Sequence, residues 1–224
     1  RVDEVFDCSR SVRDDRWLYI RNYHPFLGWN QPSVFSDLGE IRNEITNYSL
    51  NTRTRLSSEQ TQYISPQRAP IEFYDCLADP ENTRNLALEK LSPTQQVSLE
   101  KAQRALKRIR KKTRDVGCLP EGVMADVVNK NGESIADLAR NGKLKLDQIW
   151  DVADSVGRDT ESTLNFLKST DPSISFWIIN ALKASLPSDK NNDEAFRHVT
   201  QTAHVEASIE AAAWLAGESR YSEK

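Results

Sequence analysis

Nowhere does this chain approach the ~18 consecutive apolar residues needed to cross a bilayer as a helix, and its mean hydropathy is -0.64, so a helical membrane protein is excluded and no membrane partner is expected. Nor does one sign of charge dominate. Thirty Lys and Arg stand against 33 Asp and Glu, for a net charge of -3, which argues against a general polyanion binder unless the basic residues cluster. Cysteine is scarce: Cys8, Cys76 and Cys118 are odd in number and far apart, with no CxxC pair and no Cys/His ligand spacing. That excludes a zinc module and a disulfide scaffold. The three are expected to be buried, small apolar side chains with at least one free thiol, one disulfide being left open if the protein is exported. No apolar run follows the first residue. Arg1 comes first, and RVDEVFDCSRSVRDD already reads as the interior of a fold, so a fragment is expected.

What is present fills 224 residues, enough for one domain or two small ones, and two unequal parts are expected. The opening stretch is rich in β-formers, with Val2, Val5, Phe6 and Cys8 in one run and Trp17, Leu18, Tyr19 and Ile20 in the next. Asp14-Asp15 between them is turn material, which predicts an antiparallel hairpin. From His24 to Ala69, Pro25, Gly28, Pro32, Gly39 and Pro66 punctuate aromatic residues. This reads as a long structured loop with two short helices, around Ile41 to Ser49 and Ser57 to Tyr63, and loops of that length are usually functional. Ile71, Phe73 and Tyr74 then predict a short strand running into Asp75-Cys76-Leu77-Ala78-Asp79-Pro80.

From Pro93 the periodicity turns helical, with Leu99, Ala102, Leu106 and Ile109 on one face and Pro93 suited to a first turn after Ser92. Beyond Pro120 nearly everything reads as short helices. The stretches Thr163 to Ser185 and Glu194 to Ala216 both give a helical hairpin, offset by about 33 residues when Leu182 is laid on Leu215, and Ile135 to Arg140 with Leu146 to Val156 forms a weaker copy. This pattern resembles short HEAT-like repeats, although an ordinary small bundle has the same description. Phe166, Phe176, Trp177, Ile178 and Trp214 are expected in the core of that tail. His198 and His204 are six apart across a helix break, which is not a ligand spacing, and are expected at the surface or in packing.

One basic cluster exists. Lys101, Arg104, Lys107, Arg108, Arg110, Lys111, Lys112 and Arg114 share a predicted helix. They suit either a sulfated polysaccharide or nucleic acid, or a solvated face whose cations favour the helix C-terminus. A nucleic-acid partner is not expected, because no aromatic platform or nucleic-acid fold accompanies the cluster.

Two phrases carry a resemblance. Ser11-Val12-Arg13-Asp14-Asp15-Arg16-Trp17-Leu18-Tyr19-Ile20-Arg21-Asn22-Tyr23-His24-Pro25 resembles the opening of the C-terminal subdomain of type I sulfatases, and about fifty residues on, Arg68-Ala69-Pro70-Ile71-Glu72-Phe73-Tyr74-Asp75-Cys76-Leu77-Ala78-Asp79-Pro80-Glu81 with Asn85-Leu86-Ala87 resembles a second element of that family. Their order, the basic helix and the tail Thr113 to Glu121 also fit, so the resemblance covers residues 9 to 121. Cys76 and Trp17 depart mildly from the family pattern. The resemblance implies a parent that hydrolyses sulfate esters or sulfamates on sulfated carbohydrates, with a formylglycine nucleophile and calcium, in the periplasm or outside the cell.

None of this catalytic equipment is legible here: the cysteines lead CSRSV, CLADP and CLPEG, and Ser185-Leu186-Pro187-Ser188-Asp189 lacks the Arg of C/S-x-P/A-x-R. The expected partner is therefore the N-terminal sulfatase domain of the same protein, and this chain alone is expected to be inactive. What it can supply is a wall of the substrate pocket. Arg21, Asn22, His24 and Trp29 are the candidates: an Arg for bidentate capture of sulfate, Asn and His for hydroxyls, Trp for stacking on a sugar ring. The expected fold class is α+β, with a small antiparallel sheet and helices over 1–121 and an all-α HEAT-like tail over 122–224. The alternative function is a non-catalytic protein-interaction scaffold.

Overall fold

A computed structural model of the chain describes residues 7–31, 33–50, 55–158 and 169–184, and further along 197, 199, 207–209, 211 and 212. The chain divides into two compact units, Arg1–Leu106 and Lys107–Lys224, and among the described residues it is a mixed α+β structure. The first unit holds a three-stranded antiparallel sheet in the order β1-β2-β3, formed by β1 (Ser9–Arg13), β2 (Trp17–Asn22) and β3 (Ile71–Asp75). The expected hairpin is present. Asp14 closes it, its carboxylate accepting from the backbone N–H of Arg16 at 3.0 Å and of Trp17 at 2.7 Å, as short acidic side chains do in turns. Its first strand lies later than the run Val2 to Cys8 implied, and residues 1–6 lie outside the described part.

Register places Val12, Tyr19 and Phe73 in one row and Leu18 and Tyr74 in the next, so they point to opposite faces of the sheet. On the first face Tyr19, Phe73, Leu86, Leu99 and Leu106 form the core, with Trp17 stacked on Phe73 at 5.0 Å. Leu99, Ala102 and Leu106 come from α4 (Pro93–Thr113), begun by a capping box in which Ser92 and Gln95 exchange backbone and side-chain bonds. Ile109, expected on the same apolar face, is instead 46% exposed.

Between β2 and β3 the long connection carries α1 (Val34–Asp37), α2 (Glu40–Leu50) and α3 (Ser58–Ile64). The last is set by a capping box of Ser57 and Gln60. After β3, Asp75, Asp79 and Asn85 serve the backbone, as their spacing implied. Asn85 accepts from Phe73 N–H at 2.9 Å and Ala87 N–H at 3.0 Å and donates to Ile71 O at 3.0 Å.

The second unit contains α5 (Glu121–Asn131), α6 (Ile135–Arg140), α7 (Leu146–Ala153) and α8 (Pro172–Ala184). Gly132 ends α5 at φ 67, the left-handed position that glycine takes without strain. Asp171 caps α8 through the N–H groups of Ser173 and Ile174 at 3.0 and 3.3 Å, with Pro172 at its first position. The helix packs against α7. Residues 173–182 are all buried, including the expected core residues Phe176, Trp177 and Ile178; Phe166 and Trp214 lie outside the described residues. So do His198, His204, the first helix expected at 163–168 and almost all of the hairpin expected at 194–216. All three cysteines are buried. No helix among the described residues is long and apolar enough to cross a membrane.

Candidate functional site

The end of β2 delivers the candidate residues. Arg21, Asn22 and His24 are buried, at 1, 0 and 1% exposure, whereas Trp29 is 43% exposed. Arg21 lies over the Tyr23 ring at 5.2 Å and donates from Nη1 to Pro70 O at 2.8 Å. Asn22 donates from Nδ2 to Ala69 O at 2.8 Å and to Glu72, and its Oδ1 accepts from Ser9 Oγ at 2.8 Å. Its bonds therefore fasten β1, the approach to β3 and Glu72 together. Glu72 also accepts from the Tyr74 hydroxyl at 2.6 Å; burial, then this bond, pushes the phenol far above its ordinary value, which keeps it a donor.

His24 sits edge-on to Phe26 at 5.6 Å, with Nδ1 4.0 Å from Asp7 Oδ1. The same Asp7 oxygen pairs with Arg68, and the Arg68 guanidinium lies 4.9 Å from the centroid of the Trp29 ring. A continuous set of contacts, His24 to Asp7 to Arg68 to Trp29, thus joins the buried end of the site to its exposed end. Gly28 permits this arrangement. A Cβ there would meet Ser65 O at 1.8 Å, so the loop carrying Trp29 lies directly on the backbone after α3, a closeness only glycine allows.

Around Trp29 open two adjoining clefts that share Trp29, Gln62 and Glu72. One, of about 290 Å³, runs along the second face of the sheet past Leu18, Ile20 and Tyr74 to Glu59. The other, of about 520 Å³, is walled by Ser58, Thr61, Ser65, Gln67 and Arg68. The Glu59 carboxyl is held below its ordinary value, first by its own backbone N–H and then by the Ser57 hydroxyl, so it is charged near neutrality. Asp7, Arg68, Glu72 and Gln62 were missed in the sequence. Arg68 and Glu72 stood in the second quoted phrase, yet nothing in the residue order pairs Arg68 with a residue sixty positions earlier.

The basic helix is largely engaged within its own units. Lys101 approaches Asp14 at 3.7 Å and Arg104 approaches Glu100 at 3.5 Å. In the second unit Lys107, Arg110 and Lys111 meet Asp151, Asp154 and Asp147 of the α7 region at 2.8, 2.7 and 3.7 Å, and Arg110 covers the Trp150 ring at 4.5 Å. Arg114 donates to Ala139 O at 2.9 Å. Among the described residues no group of three or more His, Cys, Asp or Glu is arranged to hold a metal. The three buried cysteines stand in none of the sequence contexts from which a formylglycine is made.

Over 148 residues, 65% of this chain, the sequence is 30% identical to an ulvan-active sulfatase of Formosa agariphila, the match taking in 24% of that protein. The chain is related to a sulfatase, and it spans about a quarter of the length of that curated relative. No protein-family profile and no solved structure matches the chain.

Proposed function

We propose that this chain is the C-terminal portion of a type I sulfatase, a sulfuric ester hydrolase, and that it forms one wall of the substrate pocket while the formylglycine and calcium reside on sequence outside it. The observation that carries this is the 30% identity to a sulfatase, to which the residues of β2 and β3 add the two family phrases. The substrate class is a sulfated carbohydrate, cleaved as a sulfate ester or sulfamate. An ulvan-type polysaccharide is the first to test, since that is what the relative's name gives. The working compartment is periplasmic or extracellular.

Within the wall, exposure divides the labour. Trp29 offers the surface for contact, and the buried Arg21, Asn22 and His24 hold the turn after β2 in the one geometry that presents it. The test is expression of the longer reading frame containing this chain, with sulfate release measured on ulvan and a panel of other sulfated polysaccharides. Sulfate release by the longer protein, none by the 224-residue chain, and a KM raised about tenfold in Trp29→Ala with kcat little changed are expected. Turnover by the chain alone, or an upstream sequence without C/S-x-P/A-x-R, would overturn the assignment.

A further inference from the structure

The two clefts meeting at Trp29 combine an aromatic platform with hydroxyl and amide side chains, and their charge decides what they can hold. Trp29 keeps 43% of its surface in solvent although the Arg68 guanidinium lies 4.9 Å from its ring centroid. Ser58, Thr61, Gln62 and Gln67 lie around it, side chains that both donate and accept and so match the hydroxyls of a sugar. Among the described residues the one cation in the lining, Arg68, has a side chain only 3% exposed and is paired with Asp7. Glu59 brings negative charge to the adjoining cleft along the sheet, while the buried Glu72 is engaged by Asn22 and Tyr74. Among the described residues the cleft along the sheet is lined by no cation, so a sulfate placed there would meet the Glu59 carboxylate with nothing to offset it, and at a partly exposed site that approach is repulsive.

We infer that this groove binds an uncharged sugar ring, stacked on Trp29 and bonded by Gln62 and its neighbours, so that the polymer acted on carries unsulfated residues beside the sulfated one. The inference rests on the carbohydrate-sulfatase assignment proposed above. Arg68 is the positioning residue of the groove. Fixed by Asp7, it backs the indole with a planar cation and leaves the ring to stack on the ligand. Sulfate recognition is thereby assigned to a different surface of the pocket.

The test uses the 224-residue chain, titrated with neutral oligosaccharides of cellulose, xylan, mannan and agarose and with sulfated oligosaccharides of ulvan, carrageenan and heparin. Binding is followed by calorimetry and tryptophan emission at about 0.05 and 0.5 M salt. At least one neutral oligosaccharide should bind with an affinity unchanged by salt, weakened about tenfold or more by Trp29→Ala and only slightly by Trp29→Phe, which retains a ring. Gln62→Ala, on the exposed face of α3, should weaken binding several-fold without disturbing the fold. Binding confined to sulfated sugars, affinity that collapses with salt, or indifference to Trp29→Ala would each overturn the inference. The two assignments fail separately: sulfate release by the longer protein with no neutral-sugar binding removes only the groove, and neutral-sugar binding without sulfate release removes only the sulfatase.

Discussion

The two units solve the burial problem in opposite ways. In the sheet-bearing unit the interior next to the site is polar: Arg21, Asn22, His24, Glu72, Asp75 and Asn85 are all buried, and Asn22 and Asn85 bond to backbone groups while Asn22 and Glu72 bond to one another. In the helical unit, α7 and α8 bury Leu146, Ile149, Trp150, Ile174, Trp177 and Ile178 beside the smaller polar residues Ser173, Ser175 and Asn180, and the two indole N–H groups donate to Asp115 O at 2.9 Å and Cys118 O at 2.7 Å. Apolar burial supplies stability in proportion to area and is indifferent to direction. Polar burial adds little net stability but fixes geometry, because each buried group must find its partner at the right angle. The unit with the groove is built from the second kind of interaction, as a site that must hold a loop in one place requires.

Four substitutions and one titration sharpen that contrast, from the largest expected effect to the smallest. Trp177→Ala should cost the helical unit about 3–5 kcal/mol in urea unfolding by leaving a cavity where a residue of 1% exposure stood. In the sheet unit, Asn85→Ala should cost about 2–4 kcal/mol, because it strands the Phe73 N–H and the Ile71 carbonyl together. Gly28→Ala should cost about 2–3 kcal/mol by overlap with Ser65; a shift in Trp29 emission would show that the damage is local to the groove. Arg110→Met should cost about 1.5–3 kcal/mol through loss of the Asp154 pair, most of it recovered in Arg110→Met with Asp154→Leu, as a double-mutant cycle would read.

The smallest effect is in pH. Asp75 is held below its ordinary value of 3.8, first by the hydrogen bond from Arg16. A carboxyl whose folded-state pKa is depressed contributes stability that is present above the unfolded pKa and lost as pH falls through the folded one. The difference in melting temperature between the natural chain and Asp75→Asn should therefore hold above about pH 4 and shrink below it. A difference that persisted at the acid end would mean that Asp75 acts through its turn bonds to Leu77 and Ala78 and not through its charge.

Much of the fold was legible because local signals decide it. Asp14 marked the hairpin, Ser57 and Ser92 marked helix starts, and Leu99, Ala102 and Leu106 marked the face of α4 turned to the sheet. Ile109 continued the same periodicity and is nevertheless exposed, because a period names a face of a helix but not how far along that face the neighbouring layer extends. The site was half legible. Arg21, Asn22, His24 and Trp29 lie within one short stretch, so sequence grouped them, but Asp7 and Arg68 join them by contact across sixty positions. The basic helix stayed open in the sequence, as a surface for anions or as a solvated face, because Asp147, Asp151 and Asp154, which meet three of its cations, lie some forty residues later.

Helix α8 is enclosed along ten consecutive residues, and a cylinder apolar on every side has no wet stripe to say which way round it belongs. Asn180 spends its amide on Phe176 of the same helix and Ser175 spends its hydroxyl on the turn before it, so neither fixes the angle of rotation. The Trp177 indole does, through its bond to the carbonyl of Cys118. That hydrogen bond acts as a key in a keyway, and a ring of similar bulk without the N–H would fill the slot yet lose the indexing contact.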